Sequence, residues 1–313
     1  MESRPQRSAW VLGNRLARGV NGAWEAAVRE GLGRSFRVEI LYPQGLSELA
    51  SVARRASSSG GLIVVAGGDG SLNCVVNTVA PAASATTLAI LPLGTANDLA
   101  RELGLPLAPA EAVARIVDGR GRRIDLLSVN GRRFCTVGGV GVAAESALAV
   151  QALRDKGGVV RDALAGMGLH GYWLVAGAKV LGTARLSDRL HIRLQRPGTG
   201  PEEELSLDVH ALFVANQGTL GGRLRVSPGS RNDDGVFELC LLPAASRAAL
   251  LATLGRLVGG APVPASALRV VPITRASIAS DRPMVFFGDG ERLCEDRRFE
   301  ISLHPGALEV VGA

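Results

Sequence analysis

A short apolar run, Leu62–Ala66, stops at Gly67-Gly68-Asp69-Gly70. A new apolar pattern then begins at Leu72, Val75, Val76 and Val79, at helical spacing. No other stretch constrains the chain as strongly. A buried strand, a glycine turn and a helix in that order present backbone N–H groups and a helix N-terminus, the usual way a fold receives a phosphate. Asp69 sits inside the turn, where a purely phosphate-binding loop would carry no carboxylate. It fits if a divalent cation lies between it and the phosphates, or if it acts on a substrate hydroxyl. An ordinary strand-to-helix connection has the same local look, so the turn needs support from elsewhere.

A second stretch supplies that support. Leu88–Leu91 enters Pro92-Leu93-Gly94-Thr95-Ala96-Asn97-Asp98, and a helix through Leu99, Ala100 and Leu103 is expected after it. Thr95, Asn97 and Asp98 are good capping residues. Two neighbouring strands that both end in glycine and Asn/Asp clusters favour a nucleotide site over a pair of well-capped helices.

The order of elements gives the architecture. Ala9–Leu12 reads as a first strand ending at Gly13-Asn14, followed by a helix over 23–31, a strand Phe36–Tyr42 and a helix Ser47–Ser57. Strands alternating with helices imply a parallel sheet, with ligands beyond the carboxyl ends of its strands. Glu111–Asp118 closes this part, and the pattern changes near residues 126–128. Short strands then read at Arg133–Val137, Leu190–Gln195, Leu205–Val214 and Gly235–Leu242, which predicts a mainly antiparallel second domain. Gly138–Glu145, between the strands, resembles a glycine-containing turn of the kind a known family carries at its domain junction. Val159–Leu181 reads as a helix of the second domain's core, or one that lines a lipid pocket or touches the membrane surface. Residues 216–229 read as a loop, and Arg247–Gly259 as a helix. Phe299–Leu303 and Leu308–Val311 read as closing strands, the last returning to the first domain. The expected division is 1–127 with 305–313, and 128–304.

Composition narrows the class. In 313 residues, 47% are hydrophobic and 20% charged, which fits a globular chain. The longest apolar candidate, Leu239–Val258, is broken by Pro243, Ser246, Arg247 and Arg256, so no membrane-spanning helix is expected. With no N-terminal signal pattern, the chain is expected to be cytoplasmic, or peripheral to the inner face of a membrane. The net charge of +6 suits anionic partners. Lys156 and Lys179 are the only lysines and neither follows a glycine loop, which excludes a Walker-type lysine. Cys74, Cys135, Cys240 and Cys294 are scattered, with no metal-ligand or disulfide spacing. Aromatic residues are 4% of the chain, too few to support base stacking, so no nucleic-acid partner is expected.

Two later stretches complete the pattern: Arg231-Asn232-Asp233-Asp234-Gly235-Val236 and Phe286-Phe287-Gly288-Asp289-Gly290-Glu291. Read alone, they are a type I turn and a hairpin turn. With Gly67–Asn73 and Gly94–Asp98 they resemble, in the same order, the motifs of the diacylglycerol kinase catalytic family. That family includes bacterial lipid kinases, sphingosine and ceramide kinases and, more distantly, NAD kinases. The resemblance implies ATP and Mg²⁺ as cofactors and a lipid hydroxyl as acceptor at a membrane surface. Diacylglycerol is the first choice and ceramide or another sphingoid lipid the second. A NAD kinase-like enzyme, or a regulator that binds nucleotide or lipid without turnover, is a further alternative.

The resemblance also implies residue roles. Nucleotide would be held by Gly67, Gly68, Asp69, Gly70, Ser71, Asn73, Gly94, Thr95, Asn97, Asp98 and Asn14. Asp69 would bind catalytic Mg²⁺ or orient the acceptor. Glu291 would be the general base, acting from the second domain across an interdomain cleft, with Asp289 beside it. Asp234, helped by the carbonyls of Arg231 and Val236, would bind a structural Mg²⁺, with Asp233 approaching the active site. Two departures stand out: Arg15 replaces the family's proline after Asn14, and Cys74 replaces its glutamate. The oligomeric state is open, a homodimer among the options.

Overall fold

The computed structural model describes residues 7–14, 23–79, 87–155, 177, 178, 180–182, 185–198, 200–222 and 224–311. The chain forms two compact units, Met1–Ile124 with Gly306–Ala313, and Asp125–Pro305.

The first unit is an α/β layer structure. Its strands are β1 (Ser8–Gly13), β2 (Arg37–Leu41), β3 (Leu62–Gly67) and β4 (Thr87–Pro92). They lie in the order β4-β3-β1-β2, and every pair is parallel. β3 is buried along its whole length, as a central parallel strand covered on both faces must be. Helices α1 (Ala23–Leu32), α2 (Leu46–Ser58), α3 (Asp69–Val79), α4 (Asp98–Glu102) and α5 (Pro109–Val117) complete it. α1 and α5 pack together through Trp24, Val28, Val113 and Ile116, over Val11, Val64 and Leu91. In α2, Leu49, Val52, Ala53 and Ala56 are buried at i, i+3, i+4 and i+7, and this stripe faces α3 and the sheet.

The second unit is an antiparallel sandwich. β5 (Gly121–Val129) leads in, followed by β6 (Arg132–Phe134), β7 (Val137–Gly141) and α6 (Val142–Asp155). β8 (Asp188–Gln195), β9 (Glu203–Ala215), the short hairpin β10 (Thr219–Leu220) and β11 (Leu224–Arg225), and β12 (Phe237–Pro243) come next. The unit closes with α7 (Arg247–Gly259), β13 (Arg269–Ile273), β14 (Arg275–Gly288) and β15 (Glu291–Val311). The sheet runs β13-β12-β9-β7-β14-β15, with β8 bridging β9 and β14. Alternation along β9 explains the layers. Leu212 and Val214 enter a core shared with Phe286, Phe299 and Ile192, while Ala211, Phe213 and Ala215 face a second core containing Leu250 and Leu257 of α7. β15 then continues into the first unit, where Val310 and Val311 pair in parallel with Leu88 and Ala89 of β4.

Several local readings are corrected. Gly138–Gly141 is strand, not turn: Gly138 pairs with Gly288, and a Cβ there would lie 2.7 Å from the Phe286 ring, so only glycine lets the strand pass. The expected strand Arg133–Val137 is two strands, broken at Cys135-Thr136. Residues 216–229 include the β10–β11 hairpin, and the two expected closing strands are one. Of Val159–Leu181, residues 159–176 and 179 lie outside the described residues.

Candidate functional site

In the first unit, the glycine stretches come together as backbone against backbone. Gly67 ends β3 and its carbonyl accepts the Leu93 N–H at 3.0 Å, while the Gly68 carbonyl accepts the Leu72 N–H at 3.1 Å. A Cβ on Gly94 would lie 2.5 Å from the Gly68 Cα, so this approach requires glycine at position 94. Asp69, the first residue of α3, fastens the contact. Its Oδ2 accepts the Asn97 N–H at 3.0 Å and its Oδ1 accepts the Asp98 N–H at 2.8 Å. Charge-assisted bonds of this kind are worth roughly 1.5–3 kcal/mol each.

Asn97 does not cap α4 through its side chain as expected. Its backbone is left-handed (φ 49°), and its Oδ1 accepts the Gly94 N–H while Nδ2 donates to the Gly94 carbonyl. Asn97 still stands at the N-cap, where its carbonyl accepts the Arg101 N–H at 3.0 Å, but its side chain folds the preceding loop on itself instead of bonding the helix. Asn14 Nδ2 donates to Ser71 Oγ at 3.3 Å, and the Asn14 N–H bonds the Ala66 carbonyl, which joins the end of β1 to the same corner. Thr95 is exposed and Gly70 half-buried. Asn73 is buried in the first turns of α3, and its Oδ1 accepts the Asn77 Nδ2–H at 3.1 Å. Cys74 Sγ donates to the Leu46 carbonyl at 3.4 Å and ties α3 to the start of α2. Arg15 and Arg18 lie outside the described residues.

In the second unit, the two acidic motifs lie on separate turns. Gly288 pairs with Glu291, so Asp289 and Gly290 form a two-residue hairpin loop with φ of 54° and 78°, the positive pair a type I′ turn needs. Glu291 is half-buried as the first residue of β15. Asp289 is buried at 7% exposure, and its Oδ1 accepts the Thr136 N–H at 2.9 Å and the Thr136 Oγ–H at 2.7 Å. The Cys135 N–H bonds the same carboxylate.

The other motif is an open loop. Asp233 pairs with Arg231 at 3.1 Å, and Asp234 Oδ1 accepts the Val236 N–H at 3.2 Å. The Asp233 carboxylate raises the Arg231 guanidinium above its ordinary value. Asp234 is exposed and offers oxygen donors only, which suits a hard cation such as Mg²⁺ that keeps several waters. Among the described residues, no group of three or more His, Cys, Asp or Glu side chains could hold a metal. A cation here would therefore rest on Asp234 and on the backbone carbonyls of Arg231 and Val236.

Three residues absent from the sequence reading of the site connect these turns. The Asp125 N–H donates to the Asn232 carbonyl, and its Oδ2 accepts the Gly235 N–H at 2.8 Å. Asn216 Nδ2 donates to the carbonyls of Asp125 and Cys135, and its N–H to that of Thr136. Asp125 carries a signal in the sequence, a carboxylate within the apolar run Ile124–Leu127. Thr136 and Asn216 carry none that distinguishes them from other strand and loop residues.

Two family models match the chain. The model of the "Diacylglycerol kinase catalytic domain" matches residues 10–129, and that of the "YegS C-terminal NAD kinase beta sandwich-like domain" matches residues 189–312. A "Probable lipid kinase YegS-like" of Pseudomonas aeruginosa (strain UCBPP-PA14) is 31% identical over 288 residues, covering 91% of this chain and 87% of the relative. A "Diacylglycerol kinase" of Bacillus subtilis (strain 168) is 32% identical over 189 residues, covering 60% of this chain and 56% of the relative. A crystal structure of a diacylglycerol kinase from Bacillus anthracis superimposes with a TM-score of 0.74 at 19% identity, covering 99% of this chain and 98% of that one. That last likeness is one of fold. The fold, the two matched domains and the identity across nine-tenths of the sequence place the chain in the family of YegS-like lipid kinases, which joins a diacylglycerol kinase catalytic domain to an NAD kinase-like β-sandwich domain.

Proposed function

We propose that this chain transfers the γ-phosphoryl group of ATP to a lipid hydroxyl, with diacylglycerol as the first-choice acceptor and phosphatidic acid as product. The observation that carries this reading is the pair of glycine loops locked by Asp69. They put backbone amides and the α3 N-terminus at the carboxyl ends of β3 and β4, where a parallel sheet receives phosphates. Gly67–Ser71, Gly94–Asp98 and Asn14 hold the nucleotide, with Asn73 supporting α3 from one turn further on.

Phosphoryl transfer asks little covalent chemistry of the protein and much positioning. Glu291 takes the proton from the acceptor hydroxyl as its oxygen attacks the γ-phosphorus. The bond from that phosphorus to the β–γ bridging oxygen breaks, and ADP leaves. Asp69 orients the acceptor or takes part in holding Mg²⁺. Asp234, with the Arg231 and Val236 carbonyls, holds a second, structural Mg²⁺, and Asp233 steadies that loop through Arg231. When bound, Mg²⁺ supplies neutralisation of phosphate charge. The lipid is met at a membrane surface, to which the net charge of +6 draws the chain.

The test is transfer of labelled γ-phosphate from ATP with Mg²⁺ to micelles of diacylglycerol, monoacylglycerol, ceramide, sphingosine or undecaprenol, with NAD as a soluble control. A labelled diacylglycerol product that disappears in Glu291→Gln and Asp69→Asn is expected. Labelled ceramide alone would replace the acceptor and keep the class. Full activity in both folded variants would overturn the mechanism.

A further inference from the structure

The dipeptide Cys135-Thr136, at the break between β6 and β7, is held from both sides. On one side the Asp289 carboxylate collects both of its amides and the Thr136 hydroxyl. On the other, Asn216 donates to both of its carbonyls, from Nδ2 to Cys135 and from its backbone N–H to Thr136. Asn216 Nδ2 also reaches the Asp125 carbonyl, and Asp125 holds the Asn232–Gly235 loop through its N–H and its carboxylate. The members are all buried: Asp125 at 2%, Thr136 at 2%, Asn216 at 0%, Asn232 at 0% and Asp289 at 7% exposure. One unbroken chain of buried hydrogen bonds thus runs from the turn before Glu291 to the loop bearing Asp233 and Asp234.

We propose that Thr136 and Asn216 are positioning residues for phosphoryl transfer, which set the Glu291 hairpin and the Asp233–Asp234 loop in one fixed register. The inference rests on the proposed role of Glu291 and deepens it. It also gives Asp289 a positioning part, because its carboxylate is engaged by three donors of Cys135 and Thr136. Buried bonds in series move together, and a misplacement of about 1 Å at a reacting group costs on the order of 100-fold in rate.

Thr136→Val removes the hydroxyl at nearly constant volume, and Thr136→Ser restores it. Activity is read as total labelled lipid from a single micelle containing all five acceptor lipids. Thr136→Val is expected to lower kcat by about tenfold or more with KM for ATP within about twofold, and Thr136→Ser to recover most of the loss. Hydrogen exchange of the wild type and Thr136→Val gives a readout independent of turnover. Faster exchange is expected both across 286–293 and across 230–236, segments far apart in sequence. Faster exchange across 286–293 alone, or an unchanged kcat in folded Thr136→Val beside an inactive Glu291→Gln, would overturn the inference. An active Glu291→Gln would instead sink the parent reading, leaving the exchange result to decide the coupling. If Thr136→Val does not fold, Thr136→Ala is read by the same criteria.

Discussion

His304 illustrates how a single side chain carries pH into stability. It lies on β15 with its Nε2 2.9 Å from Ser128 Oγ. Burial, and then the charge of Arg133, push its pKa below the usual histidine value of 6.5. The folded ring therefore stays neutral while the unfolded chain, titrating near 6.5, takes up a proton first. This contribution is complete above that value and is lost as pH falls through the lowered folded pKa. His304→Gln should flatten the fall in Tm between about pH 7.5 and about pH 5.5, as read by thermal unfolding. An unchanged slope would show that the ring titrates normally. At this scale the sequence was readable for residue type and poor for partner. The importance of Asp69 was visible in its turn, but not that its two oxygens would bind Asn97 and Asp98, because a bond across 28 residues depends on tertiary packing. The cap position of Asn97 was legible, but not the bonds of its side chain, because capping statistics describe helix ends and say nothing of a left-handed residue bonding to its own loop.

At the scale of elements, glycine separates the two kinds of constraint. Gly255 lies exposed in α7, and a Cβ there would meet nothing within 4 Å. Gly255→Ala should stabilise the chain by about 0.5–1 kcal/mol, since alanine loses less backbone entropy in a helix. Gly94→Ala should act in the opposite sense. Its Cβ would sit 2.5 Å from the Gly68 Cα and 2.7 Å from Asn97 Oδ1, so the two loops must part. Nucleotide affinity measured by titration calorimetry is expected to fall about tenfold or more, equivalent to ~1.4 kcal/mol. Equal affinity in the folded variant would argue against these loops as the nucleotide site. Strand and helix types in the first unit were legible because period and glycine punctuation agree there. Gly138–Gly141 was not, because glycines that admit Phe286 and a neighbouring strand look, in sequence, like glycines that turn.

At the scale of the whole molecule, the first unit is assembled from both ends of the chain. Residues Gly306–Ala313 belong to it, and Val310 and Val311 extend its parallel sheet beside β4. Leu308, Val310 and Val311 are buried there at 2%, 0% and 7% exposure. At about 1.5–3 kcal/mol for each fully buried side chain, their removal would cost on the order of 5–9 kcal/mol, an upper figure given a compact unfolded state. A domain of this size holds roughly 5–15 kcal/mol in total. A chain ending at Pro305 should therefore keep the second unit and lose most of the first. In hydrogen exchange, amides of β3 and β4 should lose protection while those of β9 and β12 retain it, and ATP binding should vanish with the former. Equal protection of β3 and β4 in the shortened chain would mean that the parallel sheet stands without its last strand. The sequence hints at this return in the apolar pattern Leu308–Val311, but the partner strand lies more than two hundred residues earlier, at Leu88 and Ala89. Periodicity shows that a strand buries its side chains and leaves its neighbour in the sheet undetermined, which is why the pairing had to come from the fold.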